Sequence, residues 1–209
     1  GYNMADLMDW LQDHPKRSAP FEDGCWIPSR VIGRIARDLL VALKDLYQKK
    51  IIHFDLKPEN IMIRAENGEA VIIDFGVSYQ LKKDDPDIVS LYRGTVHWMA
   101  PEVFAKTGAG RPADIWSLGM IILEMIKGEV AIKPTEEKEA KRAVVDFRLD
   151  QIDLQNVPKD LVDFLGACLQ ADPSKRLTAE KLLDHPFIQK HVATQEEMLA
   201  FLPTMAEFK

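Results

Sequence analysis

The chain has 209 residues, a formal net charge of −6 and a hydrophobic fraction of 46%. These values are typical of one globular domain with a real core and exclude a disordered or fibrous protein. The acidic balance argues against a nucleic-acid partner. The longest apolar runs are too short to span a membrane, and no segment has the pattern of a signal peptide. Because the first residue is glycine rather than methionine, we expect the sequence to be part of a longer or processed chain.

Apolar residues recur at helical spacing along most of the sequence, which predicts a mainly α fold. The segment 112–127 is apolar almost all round, which is typical of a helix at the centre of a fold. The remaining predicted helices have one apolar face or a shorter apolar repeat, and they cover residues 5–12, 28–49, 136–144, 158–169 and 178–183. A weakly amphipathic, helical tail is expected over residues 190–209.

Strand signal is limited to two short β-branched segments, 61–64 and 70–73, separated by a polar turn with Asn-Gly at its centre. This pattern predicts one small β-hairpin. The hairpin would bring Asn60, before its first strand, beside Asp74, after its second. Together with Asp55, these oxygens form a hard site of the kind that Mg²⁺ prefers.

The residues around the hairpin suit phosphoryl transfer, which requires a metal, positioning and charge neutralisation. Asp55 would orient an acceptor hydroxyl and receive its proton, and the ammonium of Lys57 could contact the transferring phosphate. Gly76 would give the metal-presenting turn its backbone freedom. Taken singly, Asp55 or Asp74 would more often be a turn or cap residue, so the prediction depends on the ordered set.

That ordered set resembles the motifs of a eukaryotic-type serine/threonine protein kinase. Residues 53–60, His-Phe-Asp-Leu-Lys-Pro-Glu-Asn, resemble the catalytic loop, and Asp-Phe-Gly at 74–76 resembles the magnesium loop. Residues 94–102 end in Ala-Pro-Glu and are similar to the end of an activation segment. Residues 114–119 resemble the start of the family's central helix, and 172–178 and 185–188 resemble its closing helices. The resemblance covers residues 1–189 and implies a protein-kinase C-terminal lobe.

The resemblance also implies individual roles and the cofactors ATP and Mg²⁺. It gives the catalytic residues as Asp55, Lys57 and Asn60, the metal ligands as Asn60 and Asp74, and the nucleotide-binding residues as Asp6, Leu7, Met62 and Asp74. It also implies structural roles in four places: the catalytic loop, the apolar column between the lobes, the magnesium loop and the activation segment. The residues with these roles are His53, Phe75, Gly76, Thr95, Glu102, Asp114 and Arg176. Among these, Glu102 and Arg176 would form a buried ion pair, and Asp114 would hold the backbone of the catalytic loop.

Lys57 and Thr95 resemble the serine/threonine branch, whose partners are ATP and protein substrates with a Ser or Thr hydroxyl. The sequence of residues 98–103 is similar to kinases that act on other kinases, whereas His-Phe-Asp at 53–55 is similar to the death-associated kinases. The subfamily therefore stays open. The two cysteines, Cys25 and Cys168, have no metal-ligand spacing and are expected to be buried thiols, which suits a cytoplasmic protein.

Two departures from the family pattern change the expected function. Phe54 replaces the usual arginine and offers no donor to a phosphorylated loop, so less dependence on loop phosphorylation is expected. Nothing before residue 6 resembles the family's glycine-rich loop and its lysine. We therefore expect the N-terminal lobe to be missing, with an upstream segment or a partner supplying it, and the isolated chain to be inactive. The alternative function is a pseudokinase-like regulator or docking module.

Overall fold

The computed structural model describes residues 1–13, 20–82, 88–133, 137–204 and 207–208; within α5 the side chains of residues 137, 138, 140 and 141 are not described. The described helices are α1 (Met4–Asp13), α2 (Ser29–Gln48), α3 (Pro101–Ala105), α4 (Arg111–Lys127), α5 (Glu137–Val145), α6 (Lys159–Cys168), α7 (Ala179–Leu183), α8 (Pro186–Lys190) and α9 (Gln195–Phe201). The described strands are β1 (Tyr2–Asn3), β2 (Ile51–Ile52), β3 (Ile61–Ile63), β4 (Ala70–Ile72) and β5 (Tyr79–Gln80).

Helix α4 forms the centre of the molecule, as its sequence predicts. Its residues from 113 to 123 are all buried, including the polar side chains of Asp114 and Ser117. Helix α2 packs against it with one apolar face, and α2 also contacts α7, α8, α9, β2 and β4. The sequence predicts Pro28 in the first turn of this helix. In the structure Pro28 is the N-cap residue, one position before α2 begins. Residue 136, where a helix was predicted to begin, lies outside the described residues.

The predicted hairpin is part of a larger β structure than the sequence indicated. Strands β3 and β4 pair antiparallel, and β1 adds to the outer side of β3 to give a three-stranded sheet. Strand β2 precedes the hairpin in sequence and strand β5 follows it. The two form a second antiparallel pair. The prediction of a hairpin alone is thus corrected. Two-residue strands are too short to show an alternating pattern, so nothing in the sequence identifies them.

The C-terminal part of the chain continues past α8 into α9, which packs on α2. Helix α9 begins with a capping box between Thr194 and Glu197. The predicted division between a lobe ending at residue 189 and a tail starting at 190 falls inside α8 and stays a prediction. Along the stretches of chain described above, no helix has both the length and the apolar character needed to cross a bilayer.

Candidate active site

The backbone of residues 53 and 54 is fixed by a carboxylate from the central helix. Asp114 is fully buried, and its oxygens accept the backbone N–H groups of His53 at 2.9 Å and Phe54 at 2.8 Å. Burial raises the pKa of Asp114 to about 6, although the N–H group of His53 favours the charged form. The loop that carries Asp55 is therefore attached to the core by the residue immediately before it.

Asp55 lies at the centre of a cluster of four polar side chains. Its Oδ1 accepts the hydroxyl proton of Thr95 at 2.8 Å. The Nδ2 of Asn60 donates to the backbone oxygen of Asp55 at 2.8 Å and lies 3.3 Å from its Oδ2. The ammonium of Lys57 donates to Oγ1 of Thr95 at 3.0 Å and lies 3.5 Å from Oδ2 of Asp55. A carboxylate, an ammonium, a hydroxyl and an amide thus meet at one place.

The hairpin returns the chain to this cluster. The backbone N–H of Ile73 donates to the backbone oxygen of Asn60 at 2.9 Å, and Asp74 follows directly. Asp74 has φ +58°, and its Oδ1 accepts the N–H of Gly76 at 2.9 Å. Gly76 itself has no left-handed φ, and a Cβ added there would meet only Oδ1 of Asp74, at 3.0 Å. The left-handed residue of this turn is therefore Asp74, and the role expected of Gly76 stays a prediction.

Asn60 and Asp74 are the side chains that could hold a divalent cation. Carboxylate and amide oxygens are the ligands that Mg²⁺ prefers, so the donor set fits this ion. Because Nδ2 of Asn60 is engaged with Asp55, Oδ1 is the atom that remains for a cation. No cluster of three or more His, Cys, Asp or Glu side chains with the form of a metal site occurs within the described ranges. A cation here would depend on two protein residues, together with phosphate and water.

His53 and Phe75 connect the two motifs. The imidazole is completely buried, its Nε2 lies 3.2 Å from the backbone oxygen of Ile73, and its ring meets that of Phe75 edge-on at 5.2 Å between centroids. Phe75 is 45% exposed, and Val77, two residues later, is 37% exposed. The structure therefore brings the predicted pair into contact and leaves one apolar face of it open.

The residues predicted to contact a nucleotide differ in exposure. Asp6 is exposed in the first turn of α1, and Met62 is half-buried on β3. Leu7 is only 1% exposed and packs inside the core. Leu7 therefore offers almost no surface to a ligand, whereas Met62 has surface that a ligand could contact.

Glu102 and Arg176 form a buried ion pair with two hydrogen bonds. Arg176 Nη1 and Nη2 donate to the two carboxylate oxygens of Glu102 at 2.6 and 2.8 Å. The guanidinium also donates to backbone oxygens of Pro112 and Gln170 and lies 4.9 Å from the ring centroid of Trp116. This network connects α3, at the end of the segment 94–102, to α4 and to the loop before α7.

The Phe54 side chain is buried, and its backbone lies against Gly94. It is 6% exposed and has φ +64°. A Cβ on Gly94 would lie 2.3 Å from the backbone oxygen of Phe54, and Gly94 has φ +103°. The close approach of the two backbones is therefore possible only with glycine at position 94. Thr95, which bonds to Asp55, follows directly.

Glu124 is a half-buried carboxyl group beside the loop that carries Asp55, and the sequence analysis did not single it out. Its carboxylate accepts the indole N–H of Trp98 at 2.8 Å and lines a cleft of about 160 Å³ with Asp9 and Glu59. Burial, with smaller contributions from Glu59 and Asp9, raises the pKa of Glu124 to about 7. A second carboxylate in the mostly apolar α4, besides Asp114, was the signal that could have identified it.

The arrangement of residues 53–60, residues 74–76 and the buried ion pair agrees with a comparison of sequences. A model of the protein kinase domain matches residues 2–188. The chain belongs to the protein kinase family. Its relatives include serine/threonine kinases, so the family is the eukaryotic-type serine/threonine branch.

Three relatives illustrate the range of similarity to this kinase chain. Calcium/calmodulin-dependent protein kinase type I of Schizosaccharomyces pombe is 34% identical over 178 residues, which cover 83% of this chain and 52% of the relative. Serine/threonine-protein kinase STE20 of Candida glabrata is 35% identical over 189 residues, which cover 88% and 20%. Mitogen-activated protein kinase kinase kinase 1 of Arabidopsis thaliana is 39% identical over 167 residues, which cover 77% and 26%. The chain thus spans about half or less of the length of these relatives.

Proposed function

We propose that this chain is the part of a serine/threonine kinase that transfers the γ-phosphate of ATP to a protein hydroxyl. Asp55 orients the acceptor hydroxyl and receives its proton, and Lys57 neutralises charge on the transferring phosphate. The observation that carries the proposal is the cluster around Asp55, in which Thr95 holds one carboxylate oxygen and Lys57 lies 3.5 Å from the other. In that arrangement one carboxylate and one ammonium face the same small space.

Asn60 and Asp74 are the proposed ligands of Mg²⁺, and Met62 and Asp6 are the proposed contacts with the adenine and ribose of ATP. The cation would supply charge neutralisation on the phosphate oxygens. Asn60 is oriented by its hydrogen bond to Asp55, and Asp74 by the N–H of Gly76. These contacts would hold both ligands in place before nucleotide binds.

The remaining nucleotide contacts are proposed to come from an N-terminal lobe, on an upstream segment or a partner. The relatives' greater length supports this proposal. The 209 residues alone should then bind Mg-ATP poorly. Isothermal titration of this chain with Mg-ATP tests the proposal, and micromolar affinity would contradict it.

We also propose that substrates carry basic residues near the acceptor. The support is the cleft lined by Glu124, Glu59 and Asp9, next to the loop that carries Asp55. Three carboxyl groups close together attract a cationic side chain, and binding it would relieve their mutual repulsion. A peptide array with a Ser or Thr acceptor tests this directly, since equal phosphorylation with and without Arg or Lys near the acceptor would refute it.

A cytoplasmic location is proposed as well. Cys25 and Cys168 are both free and buried, and burial raises the pKa of the Cys25 thiol to about 12. Such thiols stay reduced and unreactive. Imaging of the tagged natural protein would test the location.

A docking or regulatory module is the second candidate function. Phe75 and Val77 expose apolar surface beside the cluster, and such surface is suited to a protein partner. The two functions differ in whether the natural protein transfers phosphate at all.

The experiment that tests the main proposal compares Asp55→Asn with the natural full-length protein in a radiolabelled ATP assay on a Ser/Thr substrate. Loss of the proton acceptor should lower kcat by about 10²- to 10⁴-fold. Asp45→Asn, at an exposed position on α2, is the matched control and should keep full activity. Equal activity of Asp55→Asn and the parent would overturn the proposal.

A further inference from the structure

The tail that follows α8 returns across the molecule to the first residues of the chain. The hydroxyl of Tyr2 donates to the backbone oxygen of Pro203 at 2.5 Å, and the ring of Tyr2 meets that of Phe208 edge-on at 4.9 Å. The indole N–H of Trp10 donates to the backbone oxygen of Glu207 at 2.9 Å. These contacts join positions about two hundred residues apart in sequence. They involve both β1 and α1.

A second set of contacts fixes the start of the tail. The backbone N–H of Ala193 donates to the backbone oxygen of Arg30, and the guanidinium of Arg30 donates to both carboxylate oxygens of Glu197. Met198 is completely buried against Gly68, where an added Cβ would lie 2.3 Å from the Met198 side chain. The tail therefore crosses α2 and the turn of the β3–β4 hairpin before it reaches β1.

The elements that the tail connects are those that carry the proposed nucleotide contacts. Strand β1 pairs with β3 through Asn3 and Met62, and α1 begins at the next residue and presents Asp6 in its first turn. Strand β1 has only two residues, so its pairing with β3 supplies few hydrogen bonds. Additional contacts from elsewhere are needed to hold so short a strand in one register.

We propose that the tail, residues 194–204 with 207 and 208, is an intramolecular strap that holds β1 and α1 against the hairpin and so positions Asp6 and Met62 for the nucleotide. The strap lies outside the residues that match the kinase domain, which end at 188. The positioning role for a nucleotide rests on the proposed kinase function. The mechanical role of the strap does not.

Hydrogen–deuterium exchange on the natural full-length protein tests the mechanical role. Phe208→Ala removes the ring contact with Tyr2, and Tyr2→Phe keeps that ring but removes the hydroxyl bond to Pro203. Either change should speed exchange in residues 2–13 by about five- to tenfold and leave α4 unchanged, because only local opening becomes easier. Glu196→Gln, at an exposed position on α9, is the control and should leave both regions unchanged. Unaltered exchange in residues 2–13, or equal acceleration in α4, overturns the strap.

Steady-state kinetics of the same variants test the positioning role. The KM for ATP should rise about threefold or more with kcat within about twofold, because the chemical step at Asp55 is not touched. A general loss of folded protein would instead lower the apparent kcat. Faster exchange with an unchanged KM for ATP overturns the positioning role. If the natural protein transfers no phosphate, the proposed function fails, and exchange in residues 2–13 still decides whether the strap exists.

Discussion

The guanidinium of Arg176 and the carboxylate of Glu102 lie 74 positions apart in sequence and form two hydrogen bonds inside the protein, with side-chain exposures of 0% and 5%. Two buried charges stabilise a fold only as a pair, because each alone would lack a solvent shell. This pair holds the end of the segment 94–102 against α4 and the loop before α7.

Removing one member of this pair should strongly destabilise the chain. Arg176→Met leaves the Glu102 carboxylate buried without its partner, which is expected to lower the free energy of unfolding by about 3–5 kcal/mol. Urea denaturation measures the change. Arg176→Met combined with Glu102→Leu should recover part of the loss, since neither charge then remains. Lys133→Met, in the exposed pair with Glu129, is the control and should have little effect. Equal stability of Arg176→Met and the parent would contradict this view of the pair.

Two glycines should respond to alanine in opposite directions. Gly94 has φ +103°, and its added Cβ would lie 2.3 Å from the Phe54 oxygen, so Gly94→Ala should destabilise the chain and displace Thr95 from Asp55. Gly166 lies within α6 with no atom within 4 Å of an added Cβ, so Gly166→Ala should stabilise the helix by about 0.5–1 kcal/mol. Thermal unfolding of both variants measures the difference. A raised melting temperature for Gly94→Ala would contradict the close approach to Phe54.

Glu124 should make the stability of the chain decrease as the pH rises. Its pKa is raised from 4.5 to about 7, so the folded state binds the proton more tightly than the unfolded state. Its contribution is fully present below about pH 4.5 and is lost as the pH rises through about 7, with a total on the order of 1–3 kcal/mol. Urea denaturation from pH 4.5 to 8 should show this decrease in the parent and a smaller one in Glu124→Gln. Glu196→Gln controls for the loss of one charge, and identical pH profiles of parent and Glu124→Gln would exclude the effect.

Phe54 should not tolerate arginine in its place. The side chain is 6% exposed, and an arginine there would bury an unpaired charge, which is expected to cost several kcal/mol. Phe54→Leu keeps an apolar side chain and should cost only about 1–1.5 kcal/mol. Urea denaturation of the two variants gives the comparison. If Phe54→Arg were as stable as Phe54→Leu, the pocket around position 54 would have to admit a counter-charge.

The sequence predicted those parts of this molecule whose signals are long or chemically distinctive. Helices α2 and α4 were found because their apolar residues recur over many turns, and the cluster around Asp55 because its residues occur in an ordered motif. Strands β1, β2 and β5 were missed because two residues cannot show a period. Glu124 was missed because its role depends on Trp98, Glu59 and Asp9, which only the folded chain brings near it. The left-handed backbone at Asp74 was not foreseen, since sequence reasoning looks for such backbone at glycine first.

The burial of Phe54 has a consequence for how a cell could control this protein. The backbone oxygen of Phe54 lies against Gly94, and the phenyl side chain has no donor for a phosphate, so this close approach does not depend on an added phosphate. The close approach at Gly94 is then a property of the folded chain itself and forms whether or not the chain is phosphorylated.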